Sequence, residues 1–382
     1  MPHISRRHAL ALGTALLAPA VQAQAPKRQS LALAPAFDPQ GRLWLAGLDS
    51  AGRLRLSQGT ALEQGQLLDV EGDRVAADGE SAPRLAWGPD GLLVLSYVRP
   101  GAKPYSGDVR LLRSLDGGTR FEPPRTVHAD RQPITHRFQA MGFDGQGRLH
   151  HLWIDKRDLE AAKAAGQPYR GAAVYRNVST DGGASFGPDL KLADHSCECC
   201  RLALTQRADG GLAVLWRHVF EPNQRDHAFA LLDGAAQQPL QRASLDRWAL
   251  DACPHHGPGL AAAADGGFHA CWFGQREGVA AVRYGRLDAQ GRPSGPLRVL
   301  AQAEHADLIS AGARVALVWR AFDGQRTRLQ ALLSHDDGRH WQALELAQSE
   351  HANDHPRLAR HGEQLWALWR DTSGIRQVEI HV

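Results

Sequence analysis

Short stretches in which apolar and polar positions alternate, broken by glycine turns, fill most of this chain. The segment Arg84-Leu-Ala-Trp-Gly-Pro-Asp-Gly91, followed by Leu92-Leu-Val-Leu-Ser-Tyr97, shows the unit: an apolar strand, a tight turn, and a second strand ending in an aromatic. The turn glycine recurs as Gly41, Gly91, Gly147, Gly211, Gly267, Gly312 and Gly362. The aromatic recurs as Trp44, Tyr97, Trp153, Trp216, Trp272, Trp319 and Trp369. A period of roughly 50 to 60 residues is that of one four-stranded propeller blade. Two further short strands fit inside each period, such as Val109 to Arg113 and Pro124 to Val127. The prediction is an all-β chain of four-stranded blades. Seven aromatics favour seven blades. Six stays open, because the last unit (Leu365 to Arg370 and Ile375 to Val382) lacks a fourth strand, which an N-terminal strand near Ser30 would supply.

The turn between third and fourth strands carries a motif in three copies. They are Ser114-Leu-Asp116-Gly-Gly118-Thr-Arg-Phe121, Ser179-Thr-Asp181-Gly-Gly183-Ala-Ser-Phe186 and Ser334-His-Asp336-Asp-Gly338-Arg-His-Trp341. Serine and aspartate can satisfy turn backbone groups, glycine accepts a positive φ, and the aromatic packs between sheets. The motif resembles the Asp-box (BNR) repeat of sialidases and related propellers. That resemblance spans nearly the whole chain after its first segment, with degenerate turns near Ser57, Asp233 and Asp288 filling the gaps. It implies a sialidase-like β-propeller, six-bladed in the enzymes, and assigns the boxes a structural role. It does not identify the chemistry.

Composition adds little except at the N-terminus. A formal charge of +3, two of whose arginines (Arg6, Arg7) lie in the first segment, gives no electrostatic case for nucleic acid or an anionic membrane. Ser5-Arg6-Arg7-His8 precedes a short apolar run from Ala9 to Val21 and a small-x-small end at Val21-Gln22-Ala23. This predicts a signal peptide over residues 1–23 and a single propeller domain over 24–382. The paired arginines resemble the twin-arginine export signal, with ordinary secretion as the alternative. The mature protein is expected to be periplasmic or secreted, and no later apolar run is long enough for a membrane helix.

Blade geometry sorts the residues by face. The Asp boxes mark the back, so the blade-to-blade links and the second-to-third-strand loops lie on the front. Ahead of the inner strands the chain reads Thr135-His136-Arg137, then Asp194-His195-Ser196-Cys197-Glu198-Cys199-Cys200-Arg201. Later units read Asp251-Ala-Cys253-Pro-His255-His256, Glu304-His305-Ala306-Asp307 and His351-Ala-Asn-Asp354-His355. Counting back from the turn glycine puts His136, Cys200, His256 and His351 in one register. These four, with Cys197, Cys199, Cys253 and His255, are candidate ligands for copper or zinc, or a redox-active set. Exported proteins also form disulfides, so two bridges stapling adjacent blades, with Cys271 left as a buried thiol beside Trp272, are an open alternative.

A second candidate set is cationic. Arg99, Arg157, Arg217, Arg276, Arg320 and Arg370 follow the second-strand aromatics, where guanidinium groups could grip an anionic ligand or pair with strand-end carboxylates. The loop after Arg157 predicts a short helix over residues 159–165, capped by Asp158 and stopped by Gly166, with Tyr169 beyond it over the front. Sialidases of the resembling fold use an arginine triad, a tyrosine–glutamate nucleophile and an aspartate acid. Their Arg-Ile-Pro signature is absent here, and Ala82-Pro83-Arg84-Leu85 is the nearest text. None of Tyr97, Tyr105, Tyr169, Tyr175 and Tyr284 adjoins a glutamate in sequence, so no catalytic residue carries across. The expected partner is a metal, a small molecule or a glycan at the front face: a metal or redox propeller, or a glycan-active or glycan-binding one.

Overall fold

The computed structural model describes residues 30–233 and 240–381, and the predicted signal segment at 1–23 lies outside them. Alternation is weakest in the middle of each unit, and the architecture explains why. Second strands such as Leu43–Leu48 and Leu149–Asp155 are buried at every position, because each sheet is pressed between two others. The hydrophobic clusters lie between sheets. One joins Trp44 and Leu56 to Leu93 and Tyr97; another joins Val94 and Leu111 to Leu149 and Trp153.

Every sheet is an antiparallel meander in chain order. The innermost strands are Leu33–Phe37, Arg84–Trp87, His136–Phe143, Ala203–Gln206, Gly259–Ala262, Ala303–Ala311 and Arg357–His361. Each packs on the next, and the last returns to the first, so seven blades close a ring. The third and fourth blades also touch edge to edge where Ser196 pairs with His218. The molecule is an all-β propeller with seven blades. The seventh has three described strands, Arg357–His361, Gln364–Asp371 and Gly374–Glu379. The chain after Ser30 enters the innermost strand of the first blade, so it does not complete the seventh as the sequence had suggested. No helix among the described residues is long and apolar enough to cross a membrane.

The three repeated turns share one hydrogen-bond pattern. Ser114, Ser179 and Ser334 donate to Asp116, Asp181 and Asp336 at 2.8, 2.7 and 2.9 Å. The same hydroxyls accept the N–H of Gly118, Gly183 and Gly338 at 2.8, 2.7 and 2.9 Å. Those glycines have φ of +88°, +87° and +81°, which explains the residue choice. Phe121, Phe186 and Trp341 pack against three different inter-blade clusters. Gly182 lies over Leu92 of the preceding blade's first turn, so both kinds of turn occupy one face as expected.

The predicted helix forms at Arg157–Ala164 and ends before Gly166 at φ +65°. Asp158 is not its cap. Lys156 holds that position without a side-chain bond, while Asp158 accepts from the Tyr175 hydroxyl at 2.9 Å and from Lys191 at 3.1 Å.

Candidate functional site

Two consecutive front-face links carry the thiols. The link from Leu190–Ser196 to Ala203–Gln206 holds Cys197, Cys199 and Cys200; the link before Gly259–Ala262 holds Cys253. The Cys197 N–H donates to the Arg217 carbonyl at 3.0 Å, which ties the first link to the fourth blade. Its three thiols are buried, and their sulfurs form a nearly equilateral triangle with edges of 3.7, 3.8 and 3.9 Å. Cys253 is exposed, with its thiol adjoining Cys197 and Cys199. None of the five cysteines is in a disulfide, so the alternative of two bridges stapling adjacent blades is not the arrangement found. The triangle's sulfurs stand at nearly twice the bonded separation of about 2 Å. Cys271, on the fifth blade, is the buried thiol foreseen, pushed up to about 12 by burial.

The triangle is electrostatically unequal. Neighbouring Cys199, Cys200 and Cys253, and then the Arg217 guanidinium, hold Cys197 well below the ordinary thiol range. Cys199 and Cys253 are pushed up chiefly by Cys197, and Cys200 chiefly by burial. Arg225 donates to the Cys197 sulfur at 3.5 Å.

Nearer the axis, three links contribute imidazoles. His256 stacks on His305 at 4.1 Å and 4°, and His305 on His355 at 3.5 Å and 17°. Burial, the largest cause, lowers all three, His256 to about 3, so the stack is neutral near pH 7. Beneath it Glu80 accepts Arg201 Nη1 at 2.9 Å, the Arg201 N–H at 2.8 Å and the Gly257 N–H at 2.9 Å. The axial channel, about 200 Å³, is lined from all seven inner strands and holds Arg84, Arg201, Arg357 and Asp307. Burial, and then the nearby charges of Arg357 and Arg201, lower Arg84 to about 9. Above the stack opens a front cavity of about 1030 Å³. Its walls include Asp78, Glu304 and Asp354, the guanidinium groups of Arg137 and Arg320, and the rings of Tyr105 and Phe322. Burial raises the Asp354 carboxyl above its ordinary value.

The predicted sets are therefore divided. His136 is buried inside its strand, stacked on His128 at 3.9 Å and away from the thiols. His255 and His351 line the front cavity, and His256 joins the stack. A fixed count from the turn glycine misled because links differ in length. The residues that meet at the axis are His256, His305 and His355, seven positions before the glycine in the last two cases. Of the six arginines predicted from sequence, only Arg320 lines the cavity, bonded to Asn353 at 3.0 Å. Arg157 is held by Asp155 at 2.7 Å and Asp189 at 2.8 Å. Arg217 donates to the carbonyls of His256 and Phe273 at 3.0 and 2.6 Å. Arg276 meets Glu277, Arg370 donates to the Leu48 carbonyl at 2.8 Å, and Arg99 pairs with Asp108 at 2.6 Å. Tyr169 donates to Asp194 at 2.8 Å beside the third blade instead of facing the cavity. The groups missed were His305 and His355 of the stack, Glu80, Arg84, Arg201 and Arg357 around the axis, and Tyr105, Arg137 and Phe322 of the cavity. One signal for the axial arginines was present: Arg-Leu-Ala opens three inner strands, at Arg84, Arg201 and Arg357.

Among the described residues, three groups bring possible metal donors within 4.8 Å of one another: Cys197, Cys199 and Cys200; Glu80, His305 and His355; Asp108, His128 and His136. Imidazole lone pairs lie in the ring plane, so rings stacked in parallel at 3.5 and 3.9 Å aim theirs side by side. The Glu80 oxygens are already taken by Arg201 and Gly257. The thiol spacing is the one suited to a single ion.

No protein-family model matches this chain, and no curated protein matches its sequence. Solved structures do share the fold. A polysaccharide lyase, ulvan lyase, bound to -[GlcA(1-4)Rha3S]-, is similar with a TM-score of 0.56 at 9% identity, over 90% of each chain. An α-L-arabinanase of Penicillium chrysogenum complexed with arabinobiose has a TM-score of 0.52 at 12% identity, over 78% of this chain and 92% of that one. A NanB sialidase variant of Streptococcus pneumoniae has a TM-score of 0.50 at 10% identity, over 87% of this chain and 70% of that one. The class is thus an all-β propeller of the kind that glycan-active enzymes use. At such identities the likeness concerns the fold.

Proposed function

We propose that this chain is an exported, sialidase-like propeller that binds an anionic glycan in its front-face cavity. The observation that carries the reading is the cavity itself: about 1030 Å³, at the mouth of the ring. Its chemistry suits a sugar chain. Tyr105 and Phe322, 76% and 58% exposed, offer flat apolar faces to pyranose rings. Asp78, Glu304 and Asp354 offer acceptors for hydroxyl groups, while Arg137 and Arg320 offer guanidinium donors for a uronate or sialate carboxylate. A few placed polar groups among apolar walls is the usual make-up of a ligand site. The shared fold of the lyase, arabinanase and sialidase supports the reading.

Affinity electrophoresis and calorimetry with a panel of uronate-bearing, sialylated and neutral glycans test it. Anionic members should bind, with Arg137→Ala and Arg320→Ala each weakening binding about tenfold, the scale of one charge-assisted hydrogen bond. Absence of binding across the panel by folded protein sinks the reading. Release of reducing ends or of unsaturated uronate from a bound glycan would make the site catalytic as well.

A further inference from the structure

We propose that Cys197, Cys199, Cys200 and Cys253 form a four-thiolate centre for one thiophilic closed-shell cation, Zn(II) or Cu(I). The centre is distinct from the glycan cavity. Two adjacent links build it, so it clasps the fourth blade to the fifth at the front face.

The geometry comes first. A triangle with edges of 3.7, 3.8 and 3.9 Å has its corners about 2.2 Å from its centre. A point slightly out of that plane lies about 2.3 Å from each sulfur, which is the Zn–S bond length, and tetrahedral ZnS₄ edges are close to 3.8 Å. Cys253, exposed on the neighbouring link, has its thiol near Cys197 and Cys199 but outside the compact donor set of the three buried thiols, so a rotation of this exposed side chain would bring it to the fourth corner.

The surroundings fit a centre that gathers negative charge. Four thiolates around Zn(II) carry a net charge of −2, and around Cu(I) one of −3. Arg225 donates to the Cys197 sulfur at 3.5 Å and is itself anchored on the Leu250 carbonyl at 3.0 Å. Arg217 lies beside the same sulfur, tied to the His256 and Phe273 carbonyls at 3.0 and 2.6 Å. Fixed cations of this kind orient first ligands and offset their charge. Soft thiolates select Cu(I) and Zn(II) over the harder divalent ions. Loading is an acid–base exchange without redox change: the cation displaces the remaining thiol protons, which leave to solvent. In an oxidising compartment, ligation would also keep adjacent thiols from pairing with one another.

The test uses the full chain purified without chelator. Elemental analysis should find about one equivalent of zinc or copper. After stripping under reducing, anaerobic conditions, titration with Zn(II) or Cu(I) against a chromogenic chelator should restore one equivalent, and the tighter competitor identifies the ion. Co(II) should give the intense sulfur-to-metal bands and visible absorption of a tetrahedral thiolate site. Cys197→Ser and Cys200→Ser should weaken binding more than about 100-fold, beyond the 10–100-fold that loss of an outer partner costs. Cys271→Ala, which removes the one cysteine outside the centre, should keep full stoichiometry. Circular dichroism on each variant separates lost binding from lost folding. Stripped wild-type protein that is folded, fully reduced and takes up neither ion overturns the proposal. So does a native disulfide among the four cysteines, or equal metal loss in Cys271→Ala. None of these outcomes bears on carbohydrate binding.

Discussion

Glu80 has three donors and almost no water. It comes from the link between the first two blades, yet its partners, Arg201 and Gly257, belong to the links entering the fourth and fifth. One carboxylate thus joins three links across the axis, with both partners of the ion pair at most 4% exposed on their side chains. Removing it would leave Arg201 Nη1 and two backbone N–H groups buried without an acceptor, and the guanidinium charge uncompensated, with only Nη2 still bonded, to the Ala306 carbonyl at 2.7 Å. Breaking a buried pair on one side costs about 3–5 kcal/mol. Glu80→Ala is expected to lower the unfolding free energy by that amount in a denaturant titration. Glu80→Gln should cost less, since one amide oxygen still accepts. A loss below about 1 kcal/mol for the alanine variant would mean that the links are held by something else.

At the scale of elements, the repeated turns show why the sequence was so informative about the fold. Ser179 and Asp181 act on groups within their own turn, so a pattern of seven residues, Ser179 to Ser185, contains these bonds. Ser179→Ala would leave the buried Gly183 N–H without an acceptor, at about 1–3 kcal/mol. Gly183→Ala should cost at least as much, because a Cβ at φ +87° would stand 2.5 Å from Leu111. Both shifts can be read from denaturation midpoints, and the turns lie on the face opposite the cavity, so glycan binding should not change. Cys197, Cys199 and Cys200 were legible for the same reason, being gathered by one short link. The axial site was not. Glu80, Arg201 and His355 meet only because the ring closes, and link lengths decide which residue reaches the axis. Bulges also shift the inner strands: pairing slips between Glu304 and Asp307, where His305 takes φ +52°. No count along the chain anticipates such a slip. The strand-end arginines misled for a complementary reason, because Arg157, Arg217 and Arg370 look alike in sequence and differ only in which carboxylate or carbonyl a neighbouring blade presents.

For the whole molecule, the ring must close without a strand shared between its first and last blades among the described residues. The seam is made by Leu43 and Leu45 packing on Ala359 and Leu368, and by Arg370 donating across it to the Leu48 carbonyl. Stability then rests on tight burial between all blades, and that burial has trapped imidazoles as well as aliphatic chains. His151, His256 and His269 lie in different parts of the ring, and burial, in each case the largest cause, lowers them to about 3, 3 and 4 from 6.5. The sign follows from proton counting. Between pH 6.5 and about 3 to 4 the unfolded chain binds protons at these positions and the folded ring does not, so stability falls as pH falls. Above 6.5 both states are neutral there and these groups contribute no slope. Each contributes on the order of 1 kcal/mol per pH unit inside its window. The lowered carboxylates act further down: Asp49 and Asp181, both at about 2, lose their contribution only between 3.8 and that value. Thermal melts of the full chain at fixed ionic strength should therefore be flat from pH 8 to about 7 and decline steeply from about pH 6. A profile flat down to pH 4 would show that the imidazoles are not buried as neutral groups, and with them the stacked axis of the propeller would have to be redrawn.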